Sequence, residues 1–120
     1  PCCDAAQEAM RTFSAAEYGN PSSRHALGQK SAQAIASARK YFGELFGVDG
    51  AAPGRVIFTG SGTESDNLAI SGVLRPFLVK GKKPRVICSA VEHPAVLKSV
   101  LSWADFGFDI WTAPVNAQGQ

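Results

Sequence analysis

The sequence predicts an α/β fold, in which two helices lead into a strand–helix–strand–helix–strand alternation. Three observations carry this. Val56-Ile57-Phe58-Thr59, Arg85-Val86-Ile87-Cys88-Ser89-Ala90 and Phe108-Asp109-Ile110-Trp111-Thr112-Ala113 are short apolar runs rich in β-branched and aromatic residues, the composition of buried strands. The stretches between them space their apolar residues at the helical period. Breakers fall at the joints: Gly60-Ser61-Gly62, Gly81 to Pro84, and Gly107. Such alternation implies right-handed crossovers and a largely parallel sheet with helices packed on its faces.

Taken in order, residues 4–17 are alanine-rich and helix-favouring, with Met10 and Phe13 three apart on one face. Tyr18-Gly19-Asn20-Pro21 stops that helix, with Gly19 in the C-cap role. Ser22 or Ser23 caps the next helix, predicted over 24–47, whose stripe of Ile35, Ala38, Phe42, Leu45 and Phe46 reads as core. Gly47 ends it, and residues 49–54 read as a loop. The strand at 56–59 then breaks at Gly60-Ser61-Gly62, where two glycines suit a tight path with positive φ. Thr63, Glu64, Ser65 and Asp66 suit an N-cap and first helical turn. The helix that follows carries Leu68, Ile70, Val73, Leu74, Phe77 and Leu78, and Pro76 is expected to kink or end it near Arg75. After the second strand, Pro94 suits the first turn of another helix with an apolar face of Val96, Leu97, Val100, Leu101 and Trp103, ended by Gly107. Residues 1–18 read as an N-terminal helical segment and 19–120 as the first part of a larger domain, because both ends resemble cuts in a longer pattern.

The totals are those of an ordinary globular chain: 120 residues, 45% hydrophobic, 18% charged, with a net charge of 12 − 10 = +2. No basic cluster exceeds Lys80-Gly81-Lys82-Lys83, which reads as a solvated turn and makes no case for nucleic acid. No apolar run approaches the ~18 residues of a membrane span, and no signal-peptide pattern opens the sequence. Cys2, Cys3 and Cys88 are a poor disulfide framework, so a reducing, cytoplasmic setting is expected. Cys88, inside a strand pattern, is expected to be buried and inert. No cluster at ligand spacing suggests a metal.

Chemistry gathers at two places. Strand, glycine turn and helix N-terminus offer free backbone N–H groups and a positive dipole end to an anion, which suggests a phosphate site at Gly62 and Thr63. An ordinary turn without ligand uses the same residues. A Walker loop is excluded because no lysine lies there, and a dinucleotide fingerprint because Ser65 stands where a third glycine is needed. The second place is Val91-Glu92-His93, after the second strand. In open α/β sheets ligands gather at the carboxyl ends of strands, so Thr63 and His93 would face one cleft if those strands are neighbours. His93 either caps the following helix or offers an imidazole for ring stacking and proton transfer. A phosphate anchor beside such a histidine suggests pyridoxal phosphate.

These residues also carry a family resemblance. Gly19-Asn20-Pro21-Ser22-Ser23, with His25 and Gly28, resembles the opening motif of cysteine desulfurases, the NifS-like group of class V aminotransferases. Val56 to Ile70 is similar to that group's phosphate-turn signature, and Glu92-His93-Pro94-Ala95-Val96 to its histidine motif. The three motifs occur in order over essentially the whole chain. The resemblance implies part of the large domain of a fold-type-I (aspartate-aminotransferase-like) pyridoxal 5'-phosphate enzyme, usually a homodimer. Such enzymes convert L-cysteine to L-alanine and a persulfide on a catalytic cysteine, for iron–sulfur cluster assembly or sulfur transfer to an acceptor protein. It implies that Gly62 and Thr63 hold the cofactor phosphate, and that His93 stacks on the pyridine ring and helps in catalytic proton transfer. Gly62 stands where alanine is common, a small change that keeps the backbone donor. The family's Schiff-base lysine, pyridine-nitrogen partner and catalytic cysteine match nothing here. Lys80, Lys82, Lys83 and Lys98 lie outside such a motif, and the 120 residues alone are expected not to turn over cysteine. A selenocysteine lyase, another aminotransferase, or a non-catalytic remnant with an uncovered sheet face shares the same residues.

Overall fold

The computed structural model describes residues 1–15, 17–48 and 56–119. The predicted loop over 49–54 lies outside the described residues. The elements are helices α1 (Asp4–Ala15), α2 (Ala26–Leu45) and α3 (Gly62–Val79), strand β1 (Val86–Ser89), helix α4 (Pro94–Leu101), a 3-10 helix (Ser102–Phe106) and strand β2 (Ile110–Ala113). They fall into two compact units, Pro1–Phe58 and Thr59–Gln120.

In the first unit α1 opens with Asp4 in its first turn, where a carboxylate meets the positive end of the helix dipole. Gly19 does not act through a left-handed cap, since its φ is not positive. It is needed for room: a Cβ there would lie 2.7 Å from the carbonyl carbon and oxygen of Leu27. Helix α2 is capped by His25, not Ser22 or Ser23, and the His25 Nδ1 accepts the Gly28 N–H at 3.3 Å. The two serines serve the preceding turn instead: the Asn20 side chain accepts the Ser22 N–H at 2.9 Å and the Asn20 carbonyl accepts that of Ser23, also at 2.9 Å. Gly28, one turn into α2, packs on this turn so closely that a Cβ would lie 2.6 Å from the Asn20 carbonyl oxygen.

The stripe expected as core is not buried within this unit. Ile35 is 37% exposed and Phe46 72% exposed. Among the described residues Phe13, Tyr18 and Phe58 are the large side chains beside it, around an open apolar cavity of about 510 Å3, too few to close over a helix face. Residues 56–59 form no strand, because a strand is a ladder and these residues pair with none among the described ones. Their groups turn to side chains instead. The Val56 carbonyl accepts from Arg39 Nε at 3.0 Å, and the Phe58 ring lies under the Arg39 guanidinium, 5.4 Å from ring centroid to Cζ.

The second unit holds the parallel sheet of two strands and the core. Val86 pairs with Ile110 and Ile87 with Trp111. Alternation then sends Val86 and Ile110 inward against Leu74, Trp103 and Phe108, while Ile87 and Trp111 stay exposed on the other face. Ile70, Leu74 and Leu78 of α3, spaced by four, meet the same core. Trp103 and Phe108 pack edge to face at 5.3 Å. Gly107 places them so: at φ +80 it ends the 3-10 helix, its N–H donating to the Ala104 carbonyl and that of Phe108 to the Trp103 carbonyl. The same motif closes α3 at Gly81. Helix α3 therefore runs through Pro76 to Val79 and does not end near Arg75. Only one turn follows the proline, and Leu78 anchors that turn on the core.

Candidate functional site

The turn after Phe58 is built by reciprocal capping. Ser61 is the N-cap of α3, with extended φ −163 and ψ 162, and its hydroxyl accepts the Glu64 N–H at 3.2 Å. The Glu64 carboxylate turns back and accepts the Gly60 N–H at 2.8 Å. The helix thus begins at Gly62, ahead of the Thr63–Asp66 stretch read as its start. Neither Gly60 nor Gly62 takes positive φ. An extended cap residue passes straight into helical geometry, so the turn needs no left-handed residue. A Cβ on Gly62 would meet nothing within 4 Å, which leaves this face of the turn open.

The capping leaves two donors unspent. Among the described residues the backbone N–H groups of Gly62 and Thr63 have no acceptor, while those of Gly60, Glu64 and Ser65 are occupied. Two free N–H groups at the positive end of an 18-residue helix form an anion-receptive donor set, and the Thr63 hydroxyl adds a third. Asn67 braces this turn by donating from Nδ2 to the Thr63 carbonyl at 2.8 Å.

His93 is the N-cap of α4, and Pro94 takes the first helical position. The His93 Nδ1 accepts the Ala95 N–H at 3.1 Å, so the neutral ring carries its proton on Nε2. The ring is exposed. Helices α3 and α4 pack together, and Thr63 and His93 line one open cavity of about 490 Å3 with Asn67, Lys98, Ser99 and Ser102. Lys98 and Ser99 were not legible as site residues. The nearest signal is helical spacing, since Lys98 lies four residues after Pro94 and so on the same face of α4.

Cys88 is half-buried, not buried: it lines a second open cavity, of about 410 Å3, beside Glu92 and Val96. Cys2 and Cys3 are exposed free thiols. Among the described residues no group of three or more His, Cys, Asp or Glu could hold a metal, and no helix is long and apolar enough to cross a membrane.

Fold and site together define an α/β chain with an anion-receptive helix start beside a capping histidine. The chain belongs to the aminotransferase class-V family, which it matches over residues 1–120. That family is one of pyridoxal-phosphate-dependent enzymes. The chain is 41% identical over 113 residues to "Cysteine desulfurase, mitochondrial" of Arthroderma benhamiae, covering 93% of this chain and 22% of that protein. It is also 41% identical over 112 residues to "Cysteine desulfurase IscS" of Dictyoglomus turgidum, covering 93% and 27%. Among solved structures it superposes on a NifS-like protein with a TM-score of 0.79 and 31% identity, over 94% of this chain and 30% of that one. On DndA from Streptomyces lividans the TM-score is 0.75 at 30% identity, over 89% and 29%. The fold is α/β, of the fold-type-I class. The chain spans about a quarter of the length of the curated relatives it matches.

Proposed function

We propose that the protein carrying this chain is a pyridoxal-phosphate-dependent cysteine desulfurase, which converts L-cysteine to L-alanine and passes the sulfur on as an enzyme persulfide. The observation that carries this is the single cavity lined by Thr63 and His93, in a chain whose relatives are named cysteine desulfurases. The donor set fits the cofactor's phosphate. The Gly62 and Thr63 N–H groups and the Thr63 hydroxyl would bind it, and the helix dipole favours its charge. When bound, pyridoxal phosphate supplies an electron sink for the bonds at the substrate's α-carbon.

The chain's own residues do the rest on this side of the site. Ser61 and Glu64 hold the turn in its open form. His93 offers a flat ring whose Nδ1 is tied to the backbone, so its face is fixed and its exchangeable proton sits at Nε2, where it can be donated. On this reading residues 19–120 form the first part of the cofactor-binding domain, after a helical segment over 1–18. The enzyme would act as a homodimer in a reducing, cytoplasmic setting and deliver sulfur to an acceptor protein, as in iron–sulfur cluster assembly.

The test is to purify the full-length protein, record its cofactor absorption, and measure alanine release from L-cysteine. Cofactor uptake with alanine release is expected. Turnover of selenocysteine alone would make it a selenocysteine lyase, and keto-acid formation an aminotransferase. Absence of both cofactor and turnover would sink the reading and leave a non-catalytic chain.

A further inference from the structure

Cys2 and Cys3 are neighbours in sequence, and both are exposed free thiols. Neither belongs to the cavity of Thr63 and His93. Gln7 holds the backbone of both: its Nε2 donates to the Cys2 carbonyl at 2.8 Å and its backbone N–H to the Cys3 carbonyl at 3.0 Å. The pair is thereby tied to the start of α1, with its carbonyls engaged and its side chains left to solvent.

Adjacent thiols respond differently to oxidation and to thiophilic ligands. Consecutive Cα atoms lie about 3.8 Å apart across a trans peptide, closer than the ~4.4–6.8 Å that a disulfide takes. Closing Cys2 directly on Cys3 would strain the ring, which favours the dithiol over the disulfide. One atom inserted between the sulfurs lengthens the bridge and relieves that strain. The pair is therefore suited to chelate a centre that takes two sulfurs at once.

The donor count selects the centre. Among the described residues no group of three or more His, Cys, Asp or Glu could hold a metal ion, so these two thiols have no third protein ligand there. Zinc takes four protein ligands in structural sites and three in catalytic ones, so this pair does not satisfy it. Two-coordinate copper(I) holds its sulfurs on opposite sides of the ion, a poor match to consecutive residues. Trivalent arsenic with one organic substituent is pyramidal, needs two sulfurs and holds them on the same side.

We propose that Cys2 and Cys3 form a vicinal-dithiol site that captures mono-substituted trivalent arsenicals. Two S–H bonds and the arsenic–oxygen bonding of the free arsenical break, two S–As bonds form, and both protons leave with the oxygen as water. Arsenic stays trivalent and sulfur keeps its oxidation state, so no oxidant or reductant takes part. The proposal does not depend on the cofactor reading.

The experiment treats the full-length protein with phenylarsine oxide in excess glutathione, a monothiol, then digests it and weighs the peptides. One phenylarsenic group is expected on the peptide that carries both cysteines, with the loss of two thiol hydrogens. Chelation makes the second bond intramolecular, so Cys2→Ser and Cys3→Ser should each weaken capture at this peptide on the order of a hundredfold. Both positions are exposed, so serine disturbs no packing. Ethanedithiol, a small competing dithiol, should strip the group where glutathione does not. Cys88→Ser, in β1, should leave capture at this peptide unchanged. An unmodified Cys2–Cys3 peptide in the wild-type protein, or a single-cysteine variant that holds the arsenical as tightly as wild type, would overturn the proposal.

Discussion

The Nδ1 atom of His93 accepts the backbone N–H of Ala95 at 3.1 Å, so one imidazole both starts helix α4 and faces the cavity that Thr63 lines. Capping and site chemistry are therefore coupled in a single ring, and substitutions can separate them. Asparagine caps a helix well but has no ring. His93→Asn should keep the stability of the protein within a few tenths of a kcal/mol while losing cofactor-dependent turnover. His93→Ala should lose turnover and also about 1 kcal/mol of stability. Denaturant midpoints read beside alanine release check this, and equal stability losses in the two variants would show that the cap is not what the ring contributes.

Ser61 and Glu64 cap the other helix of the site. Ser61→Ala is expected to cost about 1 kcal/mol, and Ser61→Asp to cost much less because aspartate caps equally well. Both variants should bind phosphate less well than wild type. The alanine lets the turn fray, and the aspartate adds a negative charge beside the free Gly62 and Thr63 N–H groups. Denaturation midpoints together with phosphate titration separate the two causes.

Three glycines divide by the room around them. Gly62→Ala meets no atom within 4 Å and requires no positive φ, so it should be tolerated and raise stability by about 0.5–1 kcal/mol through helix propensity. Gly28→Ala and Gly19→Ala would drive a methyl group against backbone carbonyls of Asn20 and Leu27, which cannot turn aside as a side chain can. Each should cost about 1–3 kcal/mol. Thermal midpoints of the three variants check the order, and a destabilised Gly62→Ala would contradict the open face of the turn.

The second unit depends on few buried groups, with Trp103 central among Leu74, Phe108 and the partly buried Ile70, Val86 and Ile110. Trp103→Ala should cost about 3–5 kcal/mol, whereas Trp111→Ala, on the exposed face of β2, should cost far less in a protein where that face stays open. Hydrogen exchange of β1 and β2 amides measures the difference. A large Trp111 effect would mean that this face is covered in the full-length protein.

Local signals explain what was legible. Pro94 after His93 marks a helix start because proline is pre-set for the first turn, and Gly47 and Gly107 mark helix ends because they take the left-handed cap that other residues resist. The α/β class was likewise readable from short stretches. Other features were misread because competing local chemistry was equally good. Ser22 and Ser23 looked like caps, yet His25 takes that place once the serines are spent on the Asn20 turn. Gly60 and Gly62 looked like positive-φ residues, but an extended Ser61 makes that unnecessary.

By itself the sequence determined the α/β class, four of the helical stretches, the helix stops at Gly47 and Gly107 and the family motifs, since each depends on the conformational preferences of a few consecutive residues. Tertiary structure alone decided the rest. Residues 56–59 have strand composition but no ladder, because pairing belongs to two segments and not to one. The stripe of α2 has core composition but stays largely exposed, because burial depends on what packs against it. Lys98 and Ser99 join Thr63 in one cavity because α3 packs against α4, a relation between residues more than thirty positions apart that no local pattern encodes.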